Sequence, residues 1–508
     1  MSLKVAIRAD ASVQMGSGHV MRCLTLADAL RERGAEVAFI SREHPGNLFS
    51  LIEASGHLLL RLPEPASAHD TRLAHAAWLG TTQTEDAQQT AAALRQFGDP
   101  DWLMVDHYAI DAEWEAILRP MVGRIMVIDD LADRLHDCDL LLDQNLLDLT
   151  GQTRYDGLLP STAVTLMGPK YALLRPEFKA LRATARIRSG VVERVLVFFG
   201  GGDPSNETAK VLLALKSLAC DELAVDVVIG SANPHYPQLL ELSEQFPACT
   251  LYRQVSNMAE LMANADLSVG AGGGAMWERS CLGLPTIVVS VAANQQPGCE
   301  AMARQGAILY LGQSERVTTE LVASALSVAV NAVGLIESIA QRSLEVADGL
   351  GTNRVVSHLL QARLALRPAE IGDCEPIYQW RNAESTRKYS QDGQAIDFEG
   401  HRSWFSQVLS DPDRQLLVGE IDGEAVGVLR FDRDSERSVI SVYLVPGHYG
   451  KGIGVHLIEA GCIWVENNWP GVQTVEAIIM ANNLPSVSAF SKAGFRSKSY
   501  AYEKKIRN

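Results

Sequence analysis

No stretch of this chain approaches the ~20 consecutive apolar residues of a membrane-spanning helix. Its N-terminus carries one Lys and then a short strand-like run, which does not read as a secretory signal. Cysteine is sparse: eight residues (Cys23, Cys138, Cys220, Cys249, Cys281, Cys299, Cys374, Cys462) are scattered over 508, with no CxxC pair. That pattern excludes a disulfide framework and points to reduced cytosolic thiols packed in cores. A basic surplus is also missing, since Lys+Arg 45 against Asp+Glu 61 leaves a net charge of −16. This argues against a nucleic-acid or anionic-membrane partner, while small anions can still be held by local dipoles. Internal repeats and low-complexity tracts are absent as well. The expectation is a cytoplasmic protein.

At ~150 residues per domain, the length implies about three domains. Apolar residues make up 47% and charged residues 21%, ordinary for a globular enzyme. From residue 3 to about 155, strand-like runs alternate with helical patterns. Val5-Ala-Ile-Arg precedes a helix expected over Val20–Arg33, with Leu24, Ala27 and Leu30 inward and Gly34 as its stop. Glu36-Val-Ala-Phe-Ile, Trp102-Leu-Met-Val-Asp106 and Arg124-Ile-Met-Val-Ile-Asp129 follow. A second series runs through Arg194–Phe199, Val225-Asp-Val-Val-Ile, Leu267-Ser-Val and Thr286–Ser290. Alternation of this kind predicts two parallel α/β (Rossmann-like) halves with a ligand cleft between them. Around Leu364-Ala-Leu-Arg-Pro368 the pattern turns to helices and then consecutive strands at 415–420, 425–431 and 439–445, an α+β module. The expected domains are therefore 1–155, 156–362 and 363–508.

Gly16-Ser17-Gly18-His19 joins the first strand to the first helix, so its backbone N–H groups and the helix start could meet an anion. The full GxGxxG spacing is missing and no acidic residue closes the next strand, which weakens a dinucleotide reading. A histidine at a helix N-terminus is kept neutral and can accept a proton, so His19 is a candidate general base. Asp10 and Asp106 are both candidate partners for it.

Phe199-Gly-Gly201-Gly202-Asp-Pro-Ser-Asn206 is again strand, glycine loop and helix start. Further on, Ala265-Asp-Leu-Ser-Val-Gly-Ala-Gly-Gly273-Gly274-Ala-Met-Trp-Glu278 leads to Asn294-Gln295. Glycines there allow close approach to a pyrophosphate, and Glu278, one turn into the helix, is placed to reach ribose hydroxyls. No DxD-type metal motif stands out, and Asp129-Asp130 reads as a strand-end pair; no metal is expected.

With these residues in place, positions 3 to about 360 resemble the UDP-sugar hydrolases of pseudaminic acid biosynthesis, which cleave UDP-2,4-diacetamido-2,4,6-trideoxy-β-L-altropyranose. Those hydrolases are similar in turn to the two-Rossmann (GT-B) glycosyltransferases. The resemblance runs through Arg8-Ala-Asp10, Gly16–His19, Val105-Asp-His-Tyr108, Ile128-Asp-Asp130, Tyr171–Phe178, Phe199–Asp203, the 270–278 loop and Asn294-Gln295. It implies that His19 activates water against the anomeric carbon, that Tyr108 and Asn294 surround the sugar, and that Glu278 holds the uridine ribose. Attack opposite the leaving UDP implies inversion. A glycosyltransferase, with a sugar or lipid acceptor in place of water, is the alternative.

In the last part, Val442-Tyr-Leu444-Val445-Pro-Gly-His-Tyr449-Gly450-Lys451-Gly452-Ile453-Gly454 is strand, glycine loop and helix start, an anion nest. With Asn483-Leu-Pro-Ser486 and Phe490–Phe495 downstream, it resembles the GNAT N-acetyltransferases, which implies acetyl-CoA as acetyl donor along Leu444–Gly454, Asn483 and Ser486. Two departures stand out. Tyr449 holds the Gln/Arg position of the Gln/Arg-x-x-Gly-x-Gly pattern, and Phe490 replaces a Tyr thought to protonate the thiolate. Trp380-Arg381-Asn382, Arg387, Ser390, His401 and Trp404 look similar to the acetyltransferase of the same pathway, which implies a substrate role for Arg381; Glu420 and His401 are candidate bases. The resemblance thus implies two consecutive steps, N-acetylation of a 4-amino UDP-sugar and then hydrolysis. A GNAT module that binds CoA or a partner without catalysis is the alternative for this part.

Overall fold

The computed structural model describes residues 2–65, 72–146, 154–185, 188–218, 223–231, 233–246, 248–361, 364–389, 394–421, 423–449, 453–480 and 482–498. The chain forms two compact units, 1–355 and 356–508, whose boundary falls inside the helix Gly351–Gln361.

The first unit holds two sheets. One contains β1 (Lys4–Ala9), β2 (Glu36–Arg42), β3 (Leu58–Leu62), β4 (Trp102–Asp106), β5 (Arg124–Ile128), β6 (Leu140–Asp143) and β7 (Val164–Met167), in the order β3-β2-β1-β4-β5-β6-β7. The other contains β8 (Arg194–Phe198), β9 (Ala224–Ile229), β10 (Cys249–Arg253), β11 (Leu267–Ala271), β12 (Thr286–Ser290) and β13 (Leu309–Gln313), in the order β10-β9-β8-β11-β12-β13. Every pairing in both sheets is parallel. Their central strands are apolar on both faces because helices cover both. In β8, Val195 and Val197 face the core with Leu212 and Leu215, while Leu196 faces Phe178, Met276 and Trp277. The first sheet extends beyond residue 155, where the sequence pattern ends that domain. Val-Thr-Leu-Met is too short and too exposed an edge strand to show a period, and its pairing with β6 alone marks it as a strand.

The first helix is Gly18–Arg31, two residues earlier than expected at each end, with Leu24, Ala27 and Leu30 buried as the period requires. This brings His19 into the first turn instead of ahead of it.

The second unit has a five-stranded sheet of β14 (Leu364–Pro368), β15 (Arg414–Ile421), β16 (Glu424–Asp434), β17 (Arg437–Leu444) and β18 (Thr474–Ala477), in sequence order. The pairs are antiparallel up to β17, and β18 joins β17 in parallel. Helices Cys374–Asn382 and Phe398–Ser410 cover one face through Ile377, Phe405 and Val428; Ile453–Asn468 and Leu484–Lys492 cover the other through Leu457, Leu429 and Phe431. Phe431 is fully buried, so Phe431→Ala is expected to cost ~3–5 kcal/mol. Calorimetry is expected to show one unfolding transition lowered while that of residues 1–355 stays in place.

Candidate active site

Parallel sheets gather their functional side chains at the C-terminal ends of the strands. β4 ends in Asp106, which is completely buried. Its Oδ1 lies 2.6 Å from His19 Nδ1, and the Arg22 fork donates to both oxygens, Nε to Oδ2 and Nη2 to Oδ1, each at 2.6 Å. Burial alone would push the Asp106 carboxyl up, but Arg22 and His19 outweigh it and hold the group well below the usual carboxylate range. An ionised carboxylate only accepts, so His19 donates from Nδ1, and Nε2 is left with the lone pair a base needs.

Of the two candidate partners, Asp106 is the one that meets His19. Asp10, at the end of β1, accepts instead from Arg8 Nη1 at 2.6 Å and from the Arg42 N–H at 2.7 Å, within a buried network that includes Asp86. The loop between β1 and the first helix is closed by Gly16 N–H donating to Ser12 O at 2.8 Å, with Gly16 at φ +75°, which favours glycine. Ser17 makes no side-chain cap to the helix, and a Cβ at Gly16 or Gly18 would meet nothing within 4 Å, so the wall beside His19 is open.

Tyr108 stands edge-on to the imidazole, ring centroids 4.7 Å apart, and its hydroxyl donates to Asp130 Oδ1. Asn294 Nδ2, from the second sheet's side, donates to the same hydroxyl at 3.3 Å, so the first and second halves of this unit meet beside His19. Trp78 stacks on Tyr108 at 5.8 Å, with His75 4.4 Å from Trp78. Sequence reasoning missed Trp78, His75 and Arg22. Trp78 lies in a short turn, Ala76–Leu79, with no period to read; Arg22, three residues after His19 on the same helix face, was the legible one.

On the second sheet's side, Glu278 lies in the helix Ala275–Cys281 with its side chain 21% exposed. Burial raises its carboxyl, which Arg175, 3.8 Å away, partly offsets. Gly272 could carry no side chain, because a Cβ there would run into Cys299 Sγ; Gly273 and Gly274 face open space apart from Gln295 Nε2. Gln295 accepts from the Val291 N–H at 3.0 Å, a bond within its own turn after β12. The 199–206 loop differs. Asp203 accepts from the N–H groups of Glu207 and Thr208, both at 2.9 Å, filling the helix start with the chain's own carboxylate. Gly201 packs against Gly230, whose N–H donates to its carbonyl at 3.0 Å, and Gly202 stays open.

β5 and β6 bring further carboxylates to the same edge. Asp129 pairs with Arg134 at 2.8 Å and accepts from Tyr155, while Asp143 pairs with Arg154. Among the described residues no group of three or more His, Cys, Asp or Glu converges as metal ligands do. No single described helix is long and apolar enough to cross a membrane.

In the second unit, β17 and β18 stay paired only from Arg437↔Thr474 to Ile440↔Ala477, while β17 runs on to Leu444. The two strands therefore part at that end. Val445 N–H returns to Val426 O at 2.9 Å, and Tyr449 exchanges a hydrogen bond with Ser385 Oγ at 2.9 Å. Gly450, Lys451 and Gly452 lie outside the described residues, as does Ser390. Ile453 begins the next helix and Gly454 meets only Leu444, at 3.9 Å from its would-be Cβ. Asn483 caps the helix Leu484–Lys492 by accepting from the Ser486 N–H at 3.2 Å, so these two residues are engaged with each other. Phe490 is buried, edge-on to Phe495 at 4.9 Å.

Both candidate bases are occupied. His401 is buried with Nε2 3.0 Å from the Cys374 carbonyl, and Glu420 accepts from Arg367 Nε at 2.7 Å. Asn382 pins the Ile396 backbone, bonding both its N–H and its carbonyl, and Trp380 and Trp404 pack against the core. Arg381 lies near Tyr443, a residue the sequence reading passed over, whose hydroxyl burial pushes up.

The fold and these sites define a class: two GT-B-like Rossmann domains followed by a GNAT domain. Residues 195–348 match the glycosyltransferase family 28 C-terminal domain, and residues 363–496 match the acetyltransferase (GNAT) domain. In solved structures, MurG of Acinetobacter baumannii has the fold of the first unit, with a TM-score of 0.50 and 14% identity over 71% of this chain and 99% of that one. More particularly, the front of the chain is homologous to the UDP-2,4-diacetamido-2,4,6-trideoxy-beta-L-altropyranose hydrolase of Campylobacter jejuni, 23% identical over 60% of this chain and 97% of that protein. The uncharacterised protein MJ1062 of Methanocaldococcus jannaschii is 23% identical over 97% of both chains.

Asp143 gives this edge a testable pH signature. Burial, only partly offset by Arg154, raises its carboxyl from 3.8 to about 6. A raised native value means that its contribution is complete below pH ~4 and is lost as pH rises through ~6. Asp143→Asn is expected to abolish that loss, up to ~3 kcal/mol, in urea midpoints compared with wild type from pH 4 to 7.

Proposed function

We propose that residues 1–355 hydrolyse a UDP-linked diacetamido-trideoxyhexose and that the GNAT domain N-acetylates its 4-amino precursor with acetyl-CoA. The observation that carries the first half is the buried His19–Asp106 pair beside Tyr108 and Asn294, contributed by the two halves of the unit. In this reading His19 Nε2 takes a proton from water as the oxygen attacks the anomeric carbon. The C–O bond to UDP breaks on the opposite face, and the configuration inverts. Charge developing on the diphosphate is met by backbone N–H groups of the 270–274 loop, whose helix start has no side-chain cap, and Glu278 accepts from the ribose hydroxyls. The Campylobacter jejuni homologue supports the hydrolase, and the GNAT match supports acetyl transfer along the end of β17 where it leaves β18. With Phe490 in the core, the thiolate takes its proton from water.

The match to glycosyltransferase family 28 favours a second reading, in which a sugar or lipid acceptor replaces water. The assay that separates them follows UDP release and sugar mass from the 4-amino UDP-sugar, with and without acetyl-CoA. UDP release that requires acetyl-CoA, with acetylated UDP-sugar accumulating in His19→Ala, is the expected result. Asp106→Asn is expected to lower kcat about 10²–10⁴-fold, because Asn need not hold the Nδ1–H tautomer. UDP release only on adding an acceptor makes the first unit a transferase. Hydrolysis of pre-acetylated sugar without any acetylation assigns the GNAT domain another role.

A further inference from the structure

We propose that Arg22 is a positioning residue that sets the charge of the His19–Asp106 pair and so keeps His19 available as a base. The proposal rests on the hydrolase reading above.

One carboxylate oxygen is shared. Asp106 Oδ1 accepts from His19 Nδ1 and from Arg22 Nη2, both at 2.6 Å, and these two nitrogens lie 3.3 Å apart. Oδ2 accepts from Arg22 Nε at 2.6 Å, with Cys23 Sγ 3.4 Å away. Both oxygens are therefore gripped by one planar fork, which fixes the carboxylate plane as well as its charge.

An aspartate alone behind a histidine stabilises imidazolium. Here its negative charge is already matched by a guanidinium in a site with almost no water, since Asp106 is fully buried and the His19 side chain only 9% exposed. A protonated His19 would share Asp106 Oδ1 with that guanidinium, whose Nη2 lies 3.3 Å from Nδ1, so one carboxylate charge would be divided between two cations. The remaining groups around the ring do not change this. Tyr108 presents a ring edge, and its hydroxyl is given to Asp130; Trp78 is 6.4 Å away, and His75 and His107, the latter paired with Asp10, lie close enough to feel a charge on His19.

The consequence concerns turnover. Water's proton goes to Nε2 as its oxygen bonds to the anomeric carbon, and the electron pair of the broken C–O bond leaves on UDP. The imidazolium formed then loses that proton to solvent, restoring the base. Arg22 makes that charged form short-lived.

The test uses the full-length protein with ¹⁵N-labelled histidine, His19 being assigned by His19→Gln. Ring titration without substrate and the pH profile of UDP release are compared for wild type, Arg22→Met and Arg22→Lys. In Arg22→Met, the ring is expected to hold its proton to higher pH, and the acid limb of kcat/KM to move up with it, by roughly 1–3 pH units. Arg22→Lys keeps the charge without the fork. Its acid limb is expected to return towards wild type while kcat remains below the wild-type value, because the carboxylate plane is no longer fixed. An Arg22→Met protein that titrates as wild type, or Arg22→Lys indistinguishable from Arg22→Met, overturns the proposal. Should Arg22→Met fail to fold, Arg22→Lys against wild type decides: an acid limb displaced as far as the Met variant's expectation overturns it. Should wild type release no UDP, the hydrolase reading fails, and the substrate-free titration still decides the role of Arg22.

Discussion

The first unit depends on neutralising carboxylates that a parallel sheet buries at one edge. β1, β4, β5 and β6 are neighbours, and at or just past their C-terminal ends stand Asp10, Asp106, Asp129 and Asp143, each almost without exposure. Leaving charges of one sign in such a place would cost several kcal/mol apiece. Each is met by an arginine from a different place in the chain: Arg8, Arg22, Arg134 and Arg154. Three of these carboxylates end below their ordinary range, and only Asp143, whose arginine is partly exposed, stays above it. Three of them reach beyond the strand that carries the carboxylate, and Arg8 also pairs with Asp86 of a following helix, so these pairs fix the loops that follow the strands as well.

From this edge the geometry around His19 follows. Asp106 is held by Arg22, His19 by Asp106, and the imidazole ring by the edge of Tyr108. Tyr108 in turn bonds Asp130 and receives Asn294, whose neighbour Gln295 packs beside Gly272 and Gly273. A continuous chain of contacts thus joins the 272–274 loop to His19. The second glycine loop is built otherwise, with Asp203 occupying the helix start that a phosphate would need. Two glycine-rich stretches that look alike as text are therefore different objects.

The GNAT domain rests on a strand pair that ends early. β18 stops at Ala477 while β17 continues to Leu444, whose carbonyl accepts from the Tyr449 hydroxyl at 3.4 Å. Both residues expected to serve as a base are spent on the fold itself, His401 on a carbonyl and Glu420 on Arg367, and Asn483, expected beside acetyl-CoA, is spent on a helix cap.

Much of the architecture was legible because its signals are local. Buried parallel strands such as Trp102–Asp106 read as apolar runs, the first helix as a 3.6-residue period, and 415–445 as consecutive strands, since side-chain burial on these elements follows from periodicity alone. Edge strands such as Val164–Met167 were not, because half-exposed short runs acquire their identity only by pairing. His19 could be singled out from its glycine loop and helix start. Its partner could not: Asp10 and Asp106 both end strands, and the choice was made by a sheet register that sets Ala9 opposite Asp106 and by a helix that turns His19 and Arg22 towards the same oxygen. Residue types and spacing by themselves determined the Rossmann halves, the α+β module and the candidate base, and a resemblance of motifs pointed to GNAT. Which carboxylate holds that base, which arginine holds the carboxylate, and which glycine loop is left open were decided by the tertiary structure, because each depends on contacts between groups that are distant in sequence.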